Sequence, residues 1–285
     1  MSLFNYIKRK LKKKSIKKTF KEYGYEIKDF LVFPLGHIQY AQWLHPLEKP
    51  KKISIENINF YKSITTKNSF IIDIGAHTGD TTIPMSLAVG KQGKVLAIEP
   101  NPYVFKILKK NTELNPQLTT IIPECFAVTE KEGAFIFNYS DASFCNGGFL
   151  SQIQKKEHKH NYTLEVKGKN LNNYLNQKYT TELQQLSLIK IDTEGYDKEI
   201  LKTIPDILNT YKPALMVECY RYLDRDERND LFDTLSNHGY LIFSIQNFES
   251  LDTLKEIKRE DMMHKKHFEI LAFHQTKKDH YKLLN

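Results

Sequence analysis

The fold is decided by the stretch Phe70-Ile71-Ile72-Asp73-Ile74-Gly75-Ala76-His77-Thr78-Gly79-Asp80-Thr81-Thr82. An apolar run that ends in an acid and leads at once into two glycines four apart is typical of a buried strand turning tightly into a helix. Gly75 and Gly79 let the backbone come close to a ligand. Their Gly-x-x-x-Gly spacing differs from the Gly-x-Gly-x-x-Gly of dinucleotide turns. It therefore favours a ligand with a sugar, a base and a charged amino-acid tail, such as S-adenosylmethionine.

A second acid supports a ligand of this kind. Lys94-Val95-Leu96-Ala97-Ile98-Glu99 is another apolar strand that ends in a carboxylate, and Pro100 follows it. In doubly wound folds a carboxylate about 20 residues past the first turn binds the ribose hydroxyls, and Glu99 is placed for this contact. The alternative interpretation is an ordinary turn with a solvated acid.

Composition and charge restrict the class of protein. The chain has 285 residues, 40% of them hydrophobic, which is enough for one large domain with an extension. Its three cysteines are far apart, which predicts a reducing compartment and no structural zinc. The net charge of +8 is concentrated in residues 1–21, with nine basic residues and no acid, so the rest carries 33 basic and 34 acidic residues. A body without excess positive charge argues against a nucleic-acid partner.

Residues 1–22 are predicted to be a basic amphipathic tail, because Leu3, Phe4, Ile7 and Leu11 recur at helical spacing among lysines. Such a helix binds anionic membrane surfaces, and a solvated arm is the alternative. No apolar run reaches the length of a signal-peptide core or a membrane span. We therefore expect a cytoplasmic protein, with peripheral attachment to the inner face of a membrane as an open alternative.

The remaining chain divides into two segments. Residues 23–68 are predicted to be a helical or irregular cap or a substrate-side lid, with an edge hairpin as the alternative. Trp43 and His45 are candidates for lying near a substrate, although aromatic residues of such a cap are more often core. Residues 69–285 alternate strand and helix, which predicts a Rossmann-like α/β domain with a mostly parallel sheet. Beyond the two strands quoted above, strands are predicted at 119–122, 134–138, 186–191, 214–218, 240–245 and 268–273, and helices at 81–89, 101–113 and 226–237.

Further carboxylates follow later strand ends. The strand at 186–191 leads into Asp192-Thr193-Glu194-Gly195, and the strand at 214–218 ends in Glu218. Open α/β sheets bind ligands at the carboxyl edge of their strands. Asp192 and Glu194 are therefore expected to face a cleft and to take part in chemistry.

These motifs resemble those of the FkbM-type methyltransferases, Rossmann-like enzymes that use S-adenosylmethionine. The resemblance extends over residues of about 69–245. Its motifs are Asp73-Ile-Gly75-Ala-His-Thr-Gly79-Asp80-x-Thr82, Glu99-Pro100-x-Pro102-x-x-Phe105-x-x-Leu108-x-x-Asn111, Ala127, Glu132-Gly133, Lys190-Ile-Asp192-x-Glu194-Gly195 with Glu199 and Leu201, Pro213 and Glu218. The chain departs from the family at Asn172-Asn173, where Asp-Asp is usual, and after Leu201, where a glycine is missing.

The resemblance implies a methyltransferase sheet of seven strands, the last antiparallel, and methyl transfer to an oxygen, commonly of a sugar, glycan or other small natural product. Asp192 and Glu194 are candidates for holding the cofactor's ammonium and for orienting or deprotonating the acceptor, with Glu218 as the reserve base. A divalent metal shared by these three acids is an open alternative without support. The implied cofactor-binding residues are Asp73, Gly75, Ala76, His77, Gly79, Thr82, Glu99, Pro100, Asn101, Ala127 and Asp192.

Two other functions stay open at this point. The first is a nicotinamide-dependent oxidoreductase, against which the absent third glycine and the acids Asp192 and Glu194 count. The second is a non-catalytic, membrane-associated module that binds the cofactor without turnover. The sequence determines neither the acceptor nor the oligomeric state.

Overall fold

The computed structural model describes residues 18–145, 148–150 and 162–280, so most of the predicted tail lies outside the described residues. The strands are β1 (Tyr25–Val32), β2 (Gly36–Trp43), β3 (Phe70–Ile74), β4 (Lys94–Ile98), β5 (Ile121–Glu124), β6 (Ala127–Val128), β7 (Gly133–Tyr139), β8 (Phe149–Leu150), β9 (Tyr162–Lys169), β10 (Leu186–Ile191), β11 (Ala214–Cys219), β12 (Tyr240–Ile245), β13 (Lys255–Glu256) and β14 (Phe268–His274). The α-helices are α1 (Ile55–Ile64), α2 (Thr82–Val89), α3 (Pro102–Glu113), α4 (Leu171–Lys178), α5 (Thr180–Leu183), α6 (Asp197–Lys202), α7 (Pro205–Tyr211) and α8 (Arg225–Asn237).

The main sheet has the strand order β13-β12-β14-β11-β10-β3-β4-β5. Strands β5, β4, β3, β10 and β11 are parallel neighbours, and β14 runs antiparallel between β11 and β12. This arrangement confirms the predicted mostly parallel sheet with an antiparallel last strand. The two-residue edge strand β13 adds an eighth strand to the seven predicted, and it is too short to leave a periodic pattern in the sequence.

Helices cover both faces of the main sheet. Every residue of β3 and β11 is buried, as expected for central strands packed on two sides. Ile58 and Tyr61 of α1 pack with the α2 residue Ile83 on one face. Ile200 of α6 and Leu231 of α8 pack on the other. None of the helices in the described part of the chain has the length and apolar character needed to cross a membrane.

Residues 25–43 form an antiparallel hairpin outside the main sheet, which was the alternative considered for the cap. The hairpin is attached through two asparagine side chains, Asn111 in the last turn of α3 and Asn115 just after the end of this helix. The amide of Asn111 accepts a hydrogen bond from Ala41 N (2.6 Å) and donates to Ala41 O (3.1 Å) and Thr78 O (2.7 Å). The amide of Asn115 pairs in the same way with Gln39 N and O, both at 2.9 Å. The two amide side chains thus pair with backbone N–H and C=O groups along the edge of β2, as a neighbouring strand would.

Replacing Asn111 with Ala is expected to lower the free energy of unfolding by about 2 to 4 kcal/mol, because three buried backbone groups lose their partner. Asn111 is fully buried, whereas Asn176 on α4 is exposed and makes only contacts within its own helix. Asn176→Ala is the control, with an expected change below about 0.5 kcal/mol. Urea unfolding of both variants measures the difference, and equal losses would contradict the anchoring role of Asn111.

Candidate active site

The backbone of the turn that follows β3 packs against the backbone at the end of β10. Gly75 has φ +77°, and a Cβ at this position would lie 2.0 Å from the backbone oxygen of Asp192. Only glycine fits this approach. The N–H groups of Gly75 and Ala76 both donate to Ile98 O at 3.0 Å, and Asp192 N donates to Ile74 O at 3.0 Å. The turn thus connects the carboxyl ends of β3, β4 and β10.

Glu99 is held in one orientation beside this turn. Its Oε2 accepts from His77 N at 3.0 Å and its Oε1 from Asn101 N at 2.8 Å, and the residue is 7% exposed. Burial raises the pKa of Glu99, while His77 and the two N–H groups oppose this shift. Each oxygen keeps a second lone pair, so the fixed carboxylate can still accept hydrogen bonds from ligand hydroxyls.

A cavity lies over these strand ends. The space between its lining residues, counted together with the part that is open to solvent, is about 670 Å³. Its floor is the rim of the main sheet, and its cover is a small sheet of order β6-β9-β7-β8. Phe137 and Tyr139 of β7 contribute apolar wall from the cover. Of the predicted site residues, those that line the cavity are Gly75, His77, Glu99, Pro100, Asn101, Ala127, Asp192 and Glu194.

Five predicted site residues are not among the lining residues: Asp73, Ala76, Gly79, Thr82 and Glu218. Asp73 lies beneath the cavity floor with no exposed surface. Its Oδ2 accepts from Thr82 Oγ1 at 2.6 Å, and its Oδ1 lies 3.4 Å from Lys190 Nζ. Asp73 and Thr82 therefore support the turn from below, and direct cofactor contacts by these residues stay a prediction.

Lys190 lies between Asp73, beneath the cavity floor, and Asp192, which lines the cavity. The sequence pattern indicated it only as a member of the motif Lys190-Ile-Asp192. Its Nζ lies 3.4 Å from both Asp73 Oδ1 and Asp192 Oδ2, and the residue is 3% exposed. Burial disfavours its charge, but Asp192 and Asp73 outweigh burial and hold the pKa of Lys190 above its ordinary value. A lysine inside the apolar strand Leu188-Ile189-Lys190-Ile191 is the signal that could have revealed it.

Carboxylates crowd the part of the rim that follows β10 and β11. Burial and then the neighbouring Asp192 raise the pKa of Glu194 to about 7. Burial and then Asp192 raise the pKa of Glu218 to about 11. Glu218 also stands opposite Glu269 across β11 and β14. Glu194 therefore titrates near neutral pH, whereas burial and Asp192 favour the protonated form of Glu218, and its role as the reserve base stays a prediction.

The histidines and Trp43 have separate environments. His267 Nδ1 lies 3.3 Å from Glu218 Oε1, and His264 Nδ1 lies 3.1 Å from Asp261 Oδ1. The two histidines therefore have different carboxylate partners. Trp43 and His45 are buried in the hairpin region and do not line the cavity. Over the described residues, no three His, Cys, Asp or Glu side chains form a group that could hold a metal ion.

The fold and the family comparison together define the class of protein. A mostly parallel sheet with an antiparallel strand, β14, between β11 and β12 and a cavity at its carboxyl rim is the architecture of a Rossmann-like, S-adenosylmethionine-dependent methyltransferase. The family model described as "Methyltransferase FkbM domain" matches residues 73–242, more than half of the chain. The chain belongs to the FkbM methyltransferase family.

Individual relatives are distant. Methyltransferase sdnD of Sordaria araneosa is 24% identical over 177 residues, which cover 52% of this chain and 68% of the relative. Similar solved structures include an S-adenosylmethionine-dependent O-methyltransferase of Thermotoga maritima, with 12% identity, a TM-score of 0.44 and coverage of 88% of this chain and 78% of that one. Another is the methyltransferase FkbM of Methylobacillus flagellatus, with 14% identity, a TM-score of 0.41 and coverage of 75% and 48%.

Proposed function

We propose that this methyltransferase transfers a methyl group from S-adenosylmethionine to a hydroxyl of a sugar, a glycan or a related small natural product. The observation that carries the proposal is Glu194, a carboxyl on the cavity wall whose pKa is raised to about 7. A general base works best when its pKa lies near the working pH. Oxygen acceptors need such a base, because an alcohol is a poor nucleophile until its proton is removed.

The residues of the cavity fit the cofactor by their chemistry. Apolar walls such as Ile98 and Phe137 suit a base, the fixed carboxylate of Glu99 suits ribose hydroxyls, and Asp192 suits an ammonium group. Bound S-adenosylmethionine would supply an electrophilic methyl group. The protein's own part is to orient the acceptor and take its proton, for which we assign Glu194.

The proposal is tested with the full chain and labelled S-adenosylmethionine against a panel of free sugars, nucleotide sugars and small hydroxylated natural products. We expect S-adenosylhomocysteine release that depends on one acceptor class and a product carrying one additional methyl group on oxygen. Calorimetry with S-adenosylhomocysteine and with NAD is the companion measurement. Methylation confined to nitrogen or carbon acceptors would overturn the acceptor class, and binding of NAD without S-adenosylhomocysteine would overturn the whole proposal.

The pH dependence follows from Glu194. A base must be unprotonated to act, so kcat/KM is expected to fall as the pH drops through about 7 and to level off above it. Glu194→Gln should lower kcat by about 100-fold or more and remove this dependence. Glu165→Gln, on the exposed side of β9, is the matched control and should keep the wild-type profile. A wild-type profile that is flat through neutral pH would exclude Glu194 as the base.

A further inference from the structure

The outer strand of the N-terminal hairpin carries a row of exposed apolar side chains, here called the hairpin strip. Its members are Tyr25, Ile27, Leu31 and Phe33, which are 43, 44, 75 and 85% exposed. Alternate residues of a strand share one face. Tyr25, Ile27 and Leu31 share it with Asp29, and Phe33 directly follows the last residue of β1. On β2 the same face is buried against α3, since Ala41 and Trp43 pack with Val104 and Ile107. Helix α3 covers β2 but leaves the strip on β1 in contact with solvent.

The chain after the basic tail joins the hairpin strip at its Tyr25 end. Lys21 N donates to Ser143 Oγ at 3.0 Å, which fixes the chain four residues before β1. Phe20, 49% exposed, stacks edge-on against Tyr103 in the first turn of α3, with ring centroids 5.3 Å apart. The chain that follows residues 1–21, which hold nine basic residues and no acid, thus enters the hairpin at the Tyr25 end of the strip, the end away from Leu31 and Phe33.

The acidic side chains near the hairpin strip already have cationic or histidine partners. Glu22 pairs with Lys106 of α3. Glu26 pairs with Lys28 at 2.6 Å, and Asp29 pairs with His37 at 2.6 Å. Because these three acids are engaged, they are poor partners for the basic residues of the sequence before residue 22.

We propose that the hairpin strip and the basic tail together bind an anionic lipid membrane. Leu31 and Phe33 at the hairpin tip would enter the boundary between headgroups and acyl chains, and the tail lysines would hold anionic headgroups. Stable membrane attachment generally takes two such signals, for example one apolar and one electrostatic. A second copy of the chain is a poorer occupant, because a symmetric contact would bring two basic tails together.

Membrane binding through this surface would also orient the candidate active site. Tyr40 of β2 is hydrogen-bonded to Thr78 of the cofactor turn, with 2.7 Å between the two hydroxyl oxygens. The hairpin is therefore hydrogen-bonded to the turn from which Gly75 and His77 line the cavity. Attachment of this kind is independent of which hydroxyl is methylated.

The test is sedimentation of the full chain with vesicles of phosphatidylglycerol and phosphatidylcholine and with vesicles of phosphatidylcholine alone. We expect binding to the anionic vesicles only, weakened at least tenfold by the double substitution Leu31→Ser/Phe33→Ser and also by Lys12→Gln/Lys13→Gln/Lys14→Gln. Met263→Ser, 41% exposed on another part of the surface, is the matched control and should bind as the wild type does. Calorimetry with S-adenosylhomocysteine should be unchanged in every variant.

Three results would overturn the inference. Undiminished vesicle binding by the Leu31→Ser/Phe33→Ser variant would mean that the tail binds alone. A dimer seen by light scattering without vesicles, and lost in that variant, would assign the strip to self-association. As a check that does not remove apolar surface, Phe33→Trp should show a blue-shifted emission on anionic vesicles above the constant signal of buried Trp43, and an unshifted emission would also exclude insertion of the tip.

Discussion

A Lys190→Met variant is expected to lose about 3 to 5 kcal/mol of unfolding free energy relative to the wild type. Lys190 Nζ lies 3.4 Å from Asp73 Oδ1, and the side chains of both residues are almost completely buried. Methionine keeps the volume of the side chain but removes the charge, so Asp73 would be left as a buried carboxylate without a cation. A buried carboxylate in this position takes up a proton, and the deficit should therefore shrink as the pH is lowered.

Urea unfolding at several pH values measures this effect. Lys94→Met is the matched control, because Lys94 forms an ion pair with Glu182 at 2.8 Å while its side chain is 43% exposed. Exposed pairs contribute about 0 to 1 kcal/mol, so the control should lose little. A double variant Asp73→Asn/Lys190→Met should recover part of the lost stability. Equal losses for Lys94→Met and Lys190→Met would show that Lys190 does not compensate Asp73.

The sequence predicted the rim of the main sheet because its strands are short apolar runs that end in carboxylates. The strands leading to Gly75, Glu99 and Asp192 were predicted from that pattern alone, and the parallel order of β4, β3 and β10 brings their ends together. Buried central strands leave this strong signal since both of their faces must be apolar. The lining of the cavity floor was therefore largely predictable.

The contacts across the sheet were not predictable, because they depend on strand register. Lys190 stands directly beside Asp73 in the pairing of β10 with β3, and Glu218 stands opposite Glu269 in the pairing of β11 with β14. A shift of one residue would place these side chains on opposite faces. The cover sheet was also missed, since the strand predicted at 134–138 gave no sign that it pairs outside the main sheet.

A Gly75→Ala variant is expected to bind S-adenosylhomocysteine about 100-fold more weakly, equivalent to about 2.8 kcal/mol. The added Cβ would lie 2.0 Å from the backbone oxygen of Asp192, so the turn or the end of β10 must move. Either movement would separate groups of the candidate site. His77 N, which donates to Glu99, belongs to this turn, and Asp192 directly follows the last residue of β10. Calorimetry with S-adenosylhomocysteine measures the loss.

The matched control for Gly75 is Gly90, the residue that ends α2. Gly90 has a nearly identical φ of +78°, but a Cβ there would meet no atom within 4 Å. Gly90→Ala thus carries only the backbone strain of an extended, positive-φ conformation that is almost restricted to glycine, about 1 to 3 kcal/mol of stability, and should bind S-adenosylhomocysteine as the wild type does. The comparison separates backbone strain from steric overlap. If both variants bound the ligand with wild-type affinity, the close approach of Gly75 to Asp192 would have no part in shaping the cofactor site.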